Sequence, residues 1–342
     1  MIEISENTDF FAYIDGFKKL SECNVIPVFS HDVDGAIYSI SITVYKRAQF
    51  LEQCLESALQ QETTLPYQII VIDDDPTRGN EVETLMHKYH DNPLVTYYKK
   101  HSNEGLMNNM NRAIQLAKTD WVLMIHDDDW LCPNYISEID KYRVKYKDYS
   151  IFVPSHTTYY FDKFVETKSS LREWFCRLKG CWRIKPIDFI NGTCATPTGT
   201  LYRKESFLKS GGYIEDYGYA ADYVFFARYS SYGKIMRVNT KLFNYRFAEN
   251  ESLKQDTIDN FRLIGHYLSV FLLKRYKFLS KNIRNRYERT RLWREFHGDE
   301  DEMVRVIGEG TVDKYKRVSP ISFYLFLSVL LGSFKFFRIN KA

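Results

Sequence analysis

The stretch WVLMIHDDDWL, residues 121–131, joins an apolar run to three consecutive carboxylates and then turns apolar again. The run WVLMI has the length and the residue types of a buried strand. Asp127, Asp128 and Asp129 follow it almost directly, and like charges placed side by side repel one another and are costly to bury. A strand that ends in this way needs a partner that offsets the charge.

Strand-like and helix-like segments alternate on the N-terminal side of this stretch. Strand patterns occupy residues 38–45, 67–73, 94–99 and 121–125, and helix patterns occupy residues 48–61, 80–90 and 106–117 between them. Alternation at this spacing is typical of an α/β protein with parallel crossovers in an open sheet. In such sheets, ligands bind outside the carboxyl ends of the strands.

Two acidic runs fall at those carboxyl ends. VIDDD closes one predicted strand with Asp73, Asp74 and Asp75, and MIHDDD closes another. We expect the carboxylates to project into a shared crevice, where a divalent cation offsets their repulsion. Side chains alternate in extended backbone, so at least one of residues 127–129 should point elsewhere and cap the helix that begins in CPNYISEID. A solvated acidic turn with a helix cap is the alternative.

Composition narrows the class of protein. The chain has 342 residues, 44% of them hydrophobic and 16% aromatic, which excludes a disordered chain and allows one large core with an appendage. The formal net charge of +3 argues against a nucleic-acid binder. The six cysteines show no zinc-ligand spacing and the N-terminus lacks a signal-peptide pattern, so we expect free thiols in the cytoplasm.

The two ends of the chain differ from the central pattern. Residues 1–37 are interpreted as an N-terminal extension that contains a helix. Its apolar residues at helical spacing are Phe10, Phe11, Ile14 and Phe17. The C-terminal region, residues 251–342, is predicted to be helical and basic, because from residue 271 onward 16 Lys and Arg stand against 8 Asp and Glu.

One segment of this basic region is uncharged. SPISFYLFLSVLLGSF, residues 319–334, has basic residues on both sides. It is shorter than the roughly 20 residues that a spanning helix needs. The pattern fits an interfacial helix on anionic lipid, so residues 319–337 are predicted to associate with a membrane surface. A helix buried in the core or in a dimer is the alternative.

Four motifs follow one another along residues 38–248. They are ISITVYKRAQFLEQCLESALQQ, IIVIDDDPTRG, NEGLMNNMNRAIQLAKTDWVLMIHDDDWL and GGYIEDYGYAADYVFFAR. In this order the chain resembles the inverting nucleotide-sugar glycosyltransferases of family 2, which have the GT-A fold. The resemblance implies a Rossmann-like open mixed sheet flanked by helices, with a GT-A domain over residues 38–250 and a helical, basic C-terminal extension.

The resemblance also implies where a donor nucleotide would bind. Tyr45 corresponds to a residue that lies against the nucleobase, and Thr43 and Arg47 flank it. Asp74 corresponds to the carboxylate that hydrogen-bonds the base, and Asp73 should support it.

The same resemblance implies which side chains would take part in the reaction. Asp127 and Asp128 correspond to a DxD-type pair, with Asp127 in the donor site and Asp128 as the direct ligand of Mn²⁺ or Mg²⁺, which would stabilise a diphosphate leaving group. Asp222 corresponds to the catalytic base that takes the proton of the acceptor hydroxyl. Asn103 either caps the helix that follows it or contacts the donor. Residues 191–200 are expected to pass near the acceptor pocket.

The chain departs from the commonest family pattern at two positions. His126 stands where many members have the first Asp of DxD, and Ala221 replaces the Glu of the usual Glu-Asp pair. These departures favour one alternative, a catalytically silent binding protein with the GT-A fold. The other alternative, a sugar nucleotidyltransferase, would need a Gly-rich basic loop for a triphosphate, and TVYKRAQ has no such glycines.

Together, the resemblance and the basic tail imply a metal-dependent inverting hexosyltransferase in the cytoplasm, held at the inner face of the cell membrane. The expected donor is a UDP-hexose. The expected acceptor is a lipid-linked saccharide of a bacterial surface glycan, such as O-antigen or capsule. Nucleic acid is not expected as a partner.

Overall fold

A computed structural model of the protein describes most of the chain. The described residues are 3–20, 25–160, 163–165, 180–247, 254–275 and 299–308, with a few positions between 284 and 296. The predicted membrane-associating segment 319–337 lies outside the described residues.

The strands and helices are numbered along the chain. The strands are β1 (Pro27–Phe29), β2 (Tyr38–Val44), β3 (Tyr67–Asp73), β4 (Val95–Lys99), β5 (Trp121–His126), β6 (Trp130–Leu131), β7 (Ile151–Tyr160), β8 (Lys163–Val165), β9 (Cys181–Ile184), β10 (Thr200–Arg203) and β11 (Ile235–Phe247). The helices are α1 (Ala48–Leu59), α2 (Glu81–His87), α3 (Leu106–Leu116), α4 (Tyr135–Lys145), α5 (Lys204–Lys209), α6 (Ala221–Tyr229), α7 (Gln255–Lys274) and α8 (Glu300–Ile307). Short 3₁₀ segments occupy Pro186–Phe189 and Glu215–Ala220.

The strands form one mixed sheet in the order β1-β4-β3-β2-β5-β10-β7-β11-β6, with β8 beside β7 and β9 beside β11. The neighbours β4, β3, β2 and β5 are parallel. Parallel neighbours need crossover connections, which here contain α1, α2 and α3. β10 runs antiparallel to both β5 and β7, and β11 runs parallel to β7. The open, mixed α/β sheet expected from the sequence is confirmed.

Each face of this sheet carries a hydrophobic core. Every residue of β2 and β3 is buried, as expected for parallel strands that are covered on both faces. On one face, α3 packs its apolar side, which includes Met110, Ala113 and Ile114. On the other face, α1 contributes Leu51 and Leu55, and α4 packs beside it. The carboxyl ends of the central strands are left at one edge between these layers.

The segment before β1 packs against this body without forming the predicted helix. Phe10 is buried and stacks on Tyr217, with 5.8 Å between ring centroids. The N–H of Gly16 donates to the carbonyl of Gly211 at 2.8 Å, and the side chain of Asn111 donates to the carbonyl of Gly16 at 3.3 Å. The helix prediction is wrong because hydrogen bonds to a distant part of the chain replace the local bonds of a helix.

The described C-terminal region is helical, as predicted. Near its start, α7 packs along the 3₁₀ segment Glu215–Ala220, where Asn260 Oδ1 accepts the N–H of Ala220 at 2.9 Å. Near its end, Phe271 packs edge-on against Phe10, with 5.7 Å between ring centroids. No helix in the described part of the chain combines the length and the apolar character that crossing a bilayer requires.

Gly16 lies where a side chain has no room. A Cβ atom at this position would be 2.1 Å from the carbonyl oxygen of Tyr213 and 2.7 Å from that of Gly211, both backbone atoms. We expect Gly16→Ala to lower the free energy of unfolding by about 1–3 kcal/mol, because the N-terminal segment must shift. Urea unfolding followed by circular dichroism measures this change.

Gly265→Ala is the matched control for this substitution. Its Cβ would make an ordinary 3.5 Å contact inside α7. Alanine also suits a helix interior better than glycine, so this variant should gain up to about 1 kcal/mol. Equal stability of the two variants would contradict the close packing of the N-terminal segment.

Candidate active site

A cleft of about 470 Å³ opens where β2, β3 and β5 end. Its position agrees with the rule that ligands bind outside the carboxyl ends of the strands. Eight of the nine predicted site residues line it: Thr43, Tyr45, Arg47, Asp74, Asn103, Asp127, Asp128 and Asp222. The structure thus brings together residues that are far apart in the sequence.

Asp73, the ninth predicted residue, lies behind the wall of the cleft and is fully buried. Its Oδ2 accepts hydrogen bonds from Lys99 Nζ at 2.7 Å and from the Tyr97 hydroxyl at 2.9 Å, and its Oδ1 accepts the N–H of Asp75 at 2.9 Å. This arrangement fits the expected support of its neighbour Asp74. It does not place Asp73 in contact with a ligand, so its grouping with the donor-binding residues is corrected.

Asp74 connects the end of β3 to the loop before α3. Its Oδ1 accepts the N–H of Glu104 at 3.0 Å, and its Oδ2 accepts the N–H of Gly105 at 3.1 Å. Lys100 Nζ lies 2.9 Å from Oδ1. Burial raises the pKa of Asp74 above its ordinary value, although Lys100 and the backbone N–H of Glu104 oppose the rise. The carboxylate therefore shapes the loop as well as facing the cleft.

Asn103 belongs to the same loop, and its Oδ1 accepts the N–H of Gly105 at 2.8 Å. The expectation that Asn103 caps the helix is wrong, because Gly105 is the N-cap residue of α3 and no side chain caps the helix there. Asn103 closes the turn just before the helix and lines the cleft. Its contact with a donor stays a prediction.

Asp127 and Asp128 share one guanidinium group. Arg47 Nη1 lies 2.7 Å from Asp128 Oδ2 and 3.6 Å from Asp127 Oδ1. The N–H of Tyr45 also donates to Asp127 Oδ2 at 3.3 Å. Burial, followed by the charge of Asp128, raises the pKa of Asp127 to about 8. With this pKa the Asp127 carboxyl is largely protonated at neutral pH, so a cation that binds the pair has to displace that proton.

Asp129 points away from the cleft and is 1% exposed. Its Oδ2 accepts the hydroxyl of Thr198 at 2.6 Å, and its Oδ1 accepts the N–H of Arg246 at 2.9 Å. The prediction that one of the three aspartates points elsewhere is confirmed. The expected helix cap is wrong, since Asn134 is the N-cap residue of α4 and no side chain caps that helix. Asp129 instead joins β11 to the loop before β10.

His126 brings a hydrogen bond rather than a charge to this site. Its Nδ1 lies 2.8 Å from Thr43 Oγ1, at the end of β2. Burial lowers the pKa of the imidazole. The position that holds a carboxylate in many members of the resembled family therefore holds a neutral ring here.

Asp222 lies in the first turn of α6 and lines the cleft half-buried. Its Oδ1 accepts the N–H of Tyr223 at 2.6 Å. Burial raises the pKa of Asp222 to about 7. A carboxylate with this pKa is a stronger base than an ordinary aspartate and is about half ionised at neutral pH.

The donor set of the cleft suits a hard divalent cation. Among the described residues, no group of three or more His, Cys, Asp and Glu side chains is arranged to hold a metal ion. The carboxyl groups of Asp127 and Asp128 nevertheless face the cleft, and hard oxygen ligands of this kind suit Mg²⁺ and Mn²⁺. An ion bound there would take further oxygens from water or from a ligand.

Several residues of the cleft were not predicted. Two of them have buried polar groups without a hydrogen-bond partner in the described part of the chain, Oδ1 of Asn109 and Oγ1 of Thr257. The run NNMN in an amphipathic helix was a readable signal for Asn109. Thr257 has no local signal, because α7 reaches the cleft through tertiary packing. Residues 196–198, from the predicted segment 191–200, also line the cleft.

Comparisons with known proteins bear on both the fold and the site. Residues 39–211 match the model of glycosyl transferase family 2. A chondroitin synthase of Escherichia coli is 23% identical over 247 residues, which are 71% of this chain and 34% of that synthase. The aligned chain therefore spans about a third of the length of this relative.

Two solved structures share the fold. The crystal structure of S. aureus TarS 1–349 in complex with UDP has a TM-score of 0.54 at 14% identity, covering 78% of this chain and 74% of that chain. The complex of the same protein with UDP-GlcNAc has a TM-score of 0.53 at 15% identity, covering 82% and 83%. The expected GT-A architecture is confirmed by these matches.

The inward carboxylate of Asp129 should matter for stability. We expect Asp129→Ala to lower the free energy of unfolding by about 2–3 kcal/mol, because buried groups of Thr198 and Arg246 lose their acceptor. Asp120→Ala is the matched control, because it removes an exposed carboxylate just before β5 and should change stability by less than about 1 kcal/mol. Chemical denaturation measures both, and an equal loss in the two variants would contradict the structural role of Asp129.

Proposed function

Because the chain belongs to glycosyl transferase family 2, we propose that it transfers a hexose from a nucleoside diphosphate sugar to a hydroxyl group of a saccharide acceptor. One observation carries the proposal: four carboxylates, those of Asp74, Asp127, Asp128 and Asp222, converge on one cleft at the strand ends. The nucleotide is UDP in this proposal, supported by the UDP and UDP-GlcNAc complexes of TarS.

The nucleoside would occupy the part of the cleft formed by Thr43, Tyr45, Asp74 and Asn103. Tyr45 is 42% exposed, so its ring is available for stacking on a base. Asp74 can accept an N–H of the base. Asp128, with Asp127 beside it, would hold Mn²⁺ or Mg²⁺, and this ion would supply Lewis-acid stabilisation of charge on the leaving diphosphate.

Asp222 would act as the general base. The acceptor hydroxyl attacks the anomeric carbon while the bond from that carbon to the diphosphate oxygen breaks, and the electron pair of that bond leaves with UDP. Asp222 takes the proton of the hydroxyl as the new glycosidic bond forms. A single displacement of this kind inverts the anomeric configuration.

The acceptor in this proposal is a lipid-linked saccharide of a bacterial surface glycan, such as O-antigen or capsule. A relative named chondroitin synthase supports an acceptor from polysaccharide synthesis. The basic residues on both sides of the uncharged stretch 319–334 support contact with the inner face of the cell membrane.

Calorimetric titration with UDP tests the donor proposal. We expect UDP to bind in the presence of Mn²⁺ and to bind at least about tenfold more weakly in EDTA, a difference of about 1.4 kcal/mol. Asp128→Ala should abolish the effect of Mn²⁺, because it removes the carboxylate that would hold the ion. Asp120→Ala, at the exposed opposite end of β5, is the control that keeps it. The donor proposal would be rejected if UDP failed to bind in either buffer.

Turnover tests the role of Asp222. Asp222→Asn should lower kcat on the order of 10²–10⁴-fold while UDP still binds, because asparagine cannot take the proton. Asp216→Asn, in the preceding 3₁₀ segment, should keep wild-type turnover. A variant Asp222→Asn that transfers normally would refute the assignment, and a wild type that binds UDP without turnover would favour the silent binding protein.

The pH profile of the wild type belongs to the same test. Asp222 must be deprotonated to act, and its pKa is about 7. The fraction of protein with an ionised Asp222 falls tenfold for each pH unit below this value. The value of kcat/KM should therefore level off above about pH 7 and fall tenfold per unit below it.

A further inference from the structure

The first two turns of α7 complete the cleft. Lys254, which precedes the helix, and Thr257 and Phe261 within it line the same cavity as the predicted site residues. All three lie beyond residues 39–211, the part of the chain that matches the family model. The family match therefore assigns them no role.

This end of α7 is fastened to the segment that leads to Asp222. Asn260 Oδ1 accepts the N–H of Ala220 at 2.9 Å. Gly218 also lies against Asn260, since a Cβ atom on this glycine would be 3.1 Å from that amide. Thr257 is one helical turn before Asn260 and shares its side of the helix. Thr257 therefore lies on the side of α7 that faces the segment leading to Asp222.

Thr257 has an unusual polar group at the wall of the cleft. The residue is 3% exposed, and its Oγ1 has no hydrogen-bond partner among the residues that the structure describes. A buried hydroxyl that lacks a partner is unfavourable, so such groups in a cleft are candidates for ligand contact. A hydroxyl of a bound ligand would satisfy it.

Two aromatic side chains accompany this hydroxyl in the cleft. Tyr219 is 39% exposed, which is high for a large aromatic residue next to a core. Phe261 stacks on Tyr223, with 6.4 Å between centroids and 14° between planes, and also lines the cleft. Apolar rings combined with a few well-placed polar groups suit a ligand with both C–H faces and hydroxyl groups.

We propose that Tyr219, Thr257 and Phe261 form the acceptor subsite and hold a saccharide ring, with a ring hydroxyl bonded to Thr257. The inference rests on the proposed function, because a base at Asp222 requires the acceptor hydroxyl to lie next to it. The donor nucleotide occupies the part of the cleft formed by Thr43 and Tyr45. The C-terminal helix thus determines which saccharide receives the hexose.

Saturation-transfer NMR on the full chain tests this subsite. The probes are the methyl glycosides of glucose, galactose, mannose, rhamnose, N-acetylglucosamine and N-acetylgalactosamine, each titrated with the protein saturated with UDP and Mn²⁺. At least one glycoside should bind under these conditions. Thr257→Val should weaken its binding about fivefold to tenfold, by loss of one hydrogen bond, and Tyr219→Leu should weaken it about tenfold.

The matched variants separate binding from folding. Thr257→Ser keeps the hydroxyl and should retain glycoside binding. Tyr232→Leu replaces a tyrosine that is 59% exposed outside the cleft lining and should bind as the wild type does. Thr257→Val should melt at or above the wild-type temperature, because valine removes a buried hydroxyl that lacks a partner without changing the shape.

Three outcomes would overturn the subsite: equal glycoside binding by all variants, displacement of the glycoside by UDP, or no binding of any probe by a wild type that binds UDP. Failure of UDP itself to bind would instead reject the proposed function. The calorimetric titration with UDP therefore tells the two failures apart.

Discussion

The mutual repulsion of Asp127, Asp128 and Asp129 is the constraint on which the organisation of the cleft depends. These residues follow β5 in the middle of the sheet, where burial makes uncompensated charge costly. The chain resolves the repulsion by direction: Asp129 turns inward to bond β11 and the loop before β10, whereas Asp127 and Asp128 face the cleft and share Arg47. The inward carboxylate holds the wall of the cleft, and the outward pair offers oxygen ligands to a cation.

Much of the fold could be predicted from residues 38–131, because a parallel sheet covered on both faces requires apolar strands and one-sided helices. The N-terminal segment could not be predicted in this way. Its aromatic residues have helical spacing, but the N–H of Gly16 donates to the carbonyl of Gly211 and its carbonyl accepts from Asn111. A periodicity reports only which side chains share a face. It does not report whether the backbone bonds to itself or to a distant strand or loop.

The site shows the same division between local and tertiary information. The order of the motifs predicted eight of the residues that line the cleft. Each of them lies at or near the end of a strand or helix that the sequence pattern already indicated. The hydrogen-bond partners of these residues were harder to predict from the sequence. At least one of the three aspartates was expected to cap a helix, whereas Asp129, which turns inward, accepts from Thr198 and Arg246, and Asn103 closes a turn. Capping rules describe one helix end at a time, whereas Asp129 accepts its hydrogen bonds from two residues that are distant in the sequence.

The boundary of the family match separates the two halves of the cleft. Residues 39–211 contain the strand ends around Tyr45, Asp74 and Asp128, whereas Asp222 and α7 follow that boundary. Substitutions on the cleft-facing side of α7 can therefore change what lies beside Asp222 without disturbing the sheet that would position the donor in the proposed function. The hydrogen bond from the Ala220 N–H to Asn260 Oδ1 fixes α7 against the segment that leads to that carboxylate. On this view, the sheet sets the chemistry of the leaving group, and the packing of one C-terminal helix sets the identity of the nucleophile.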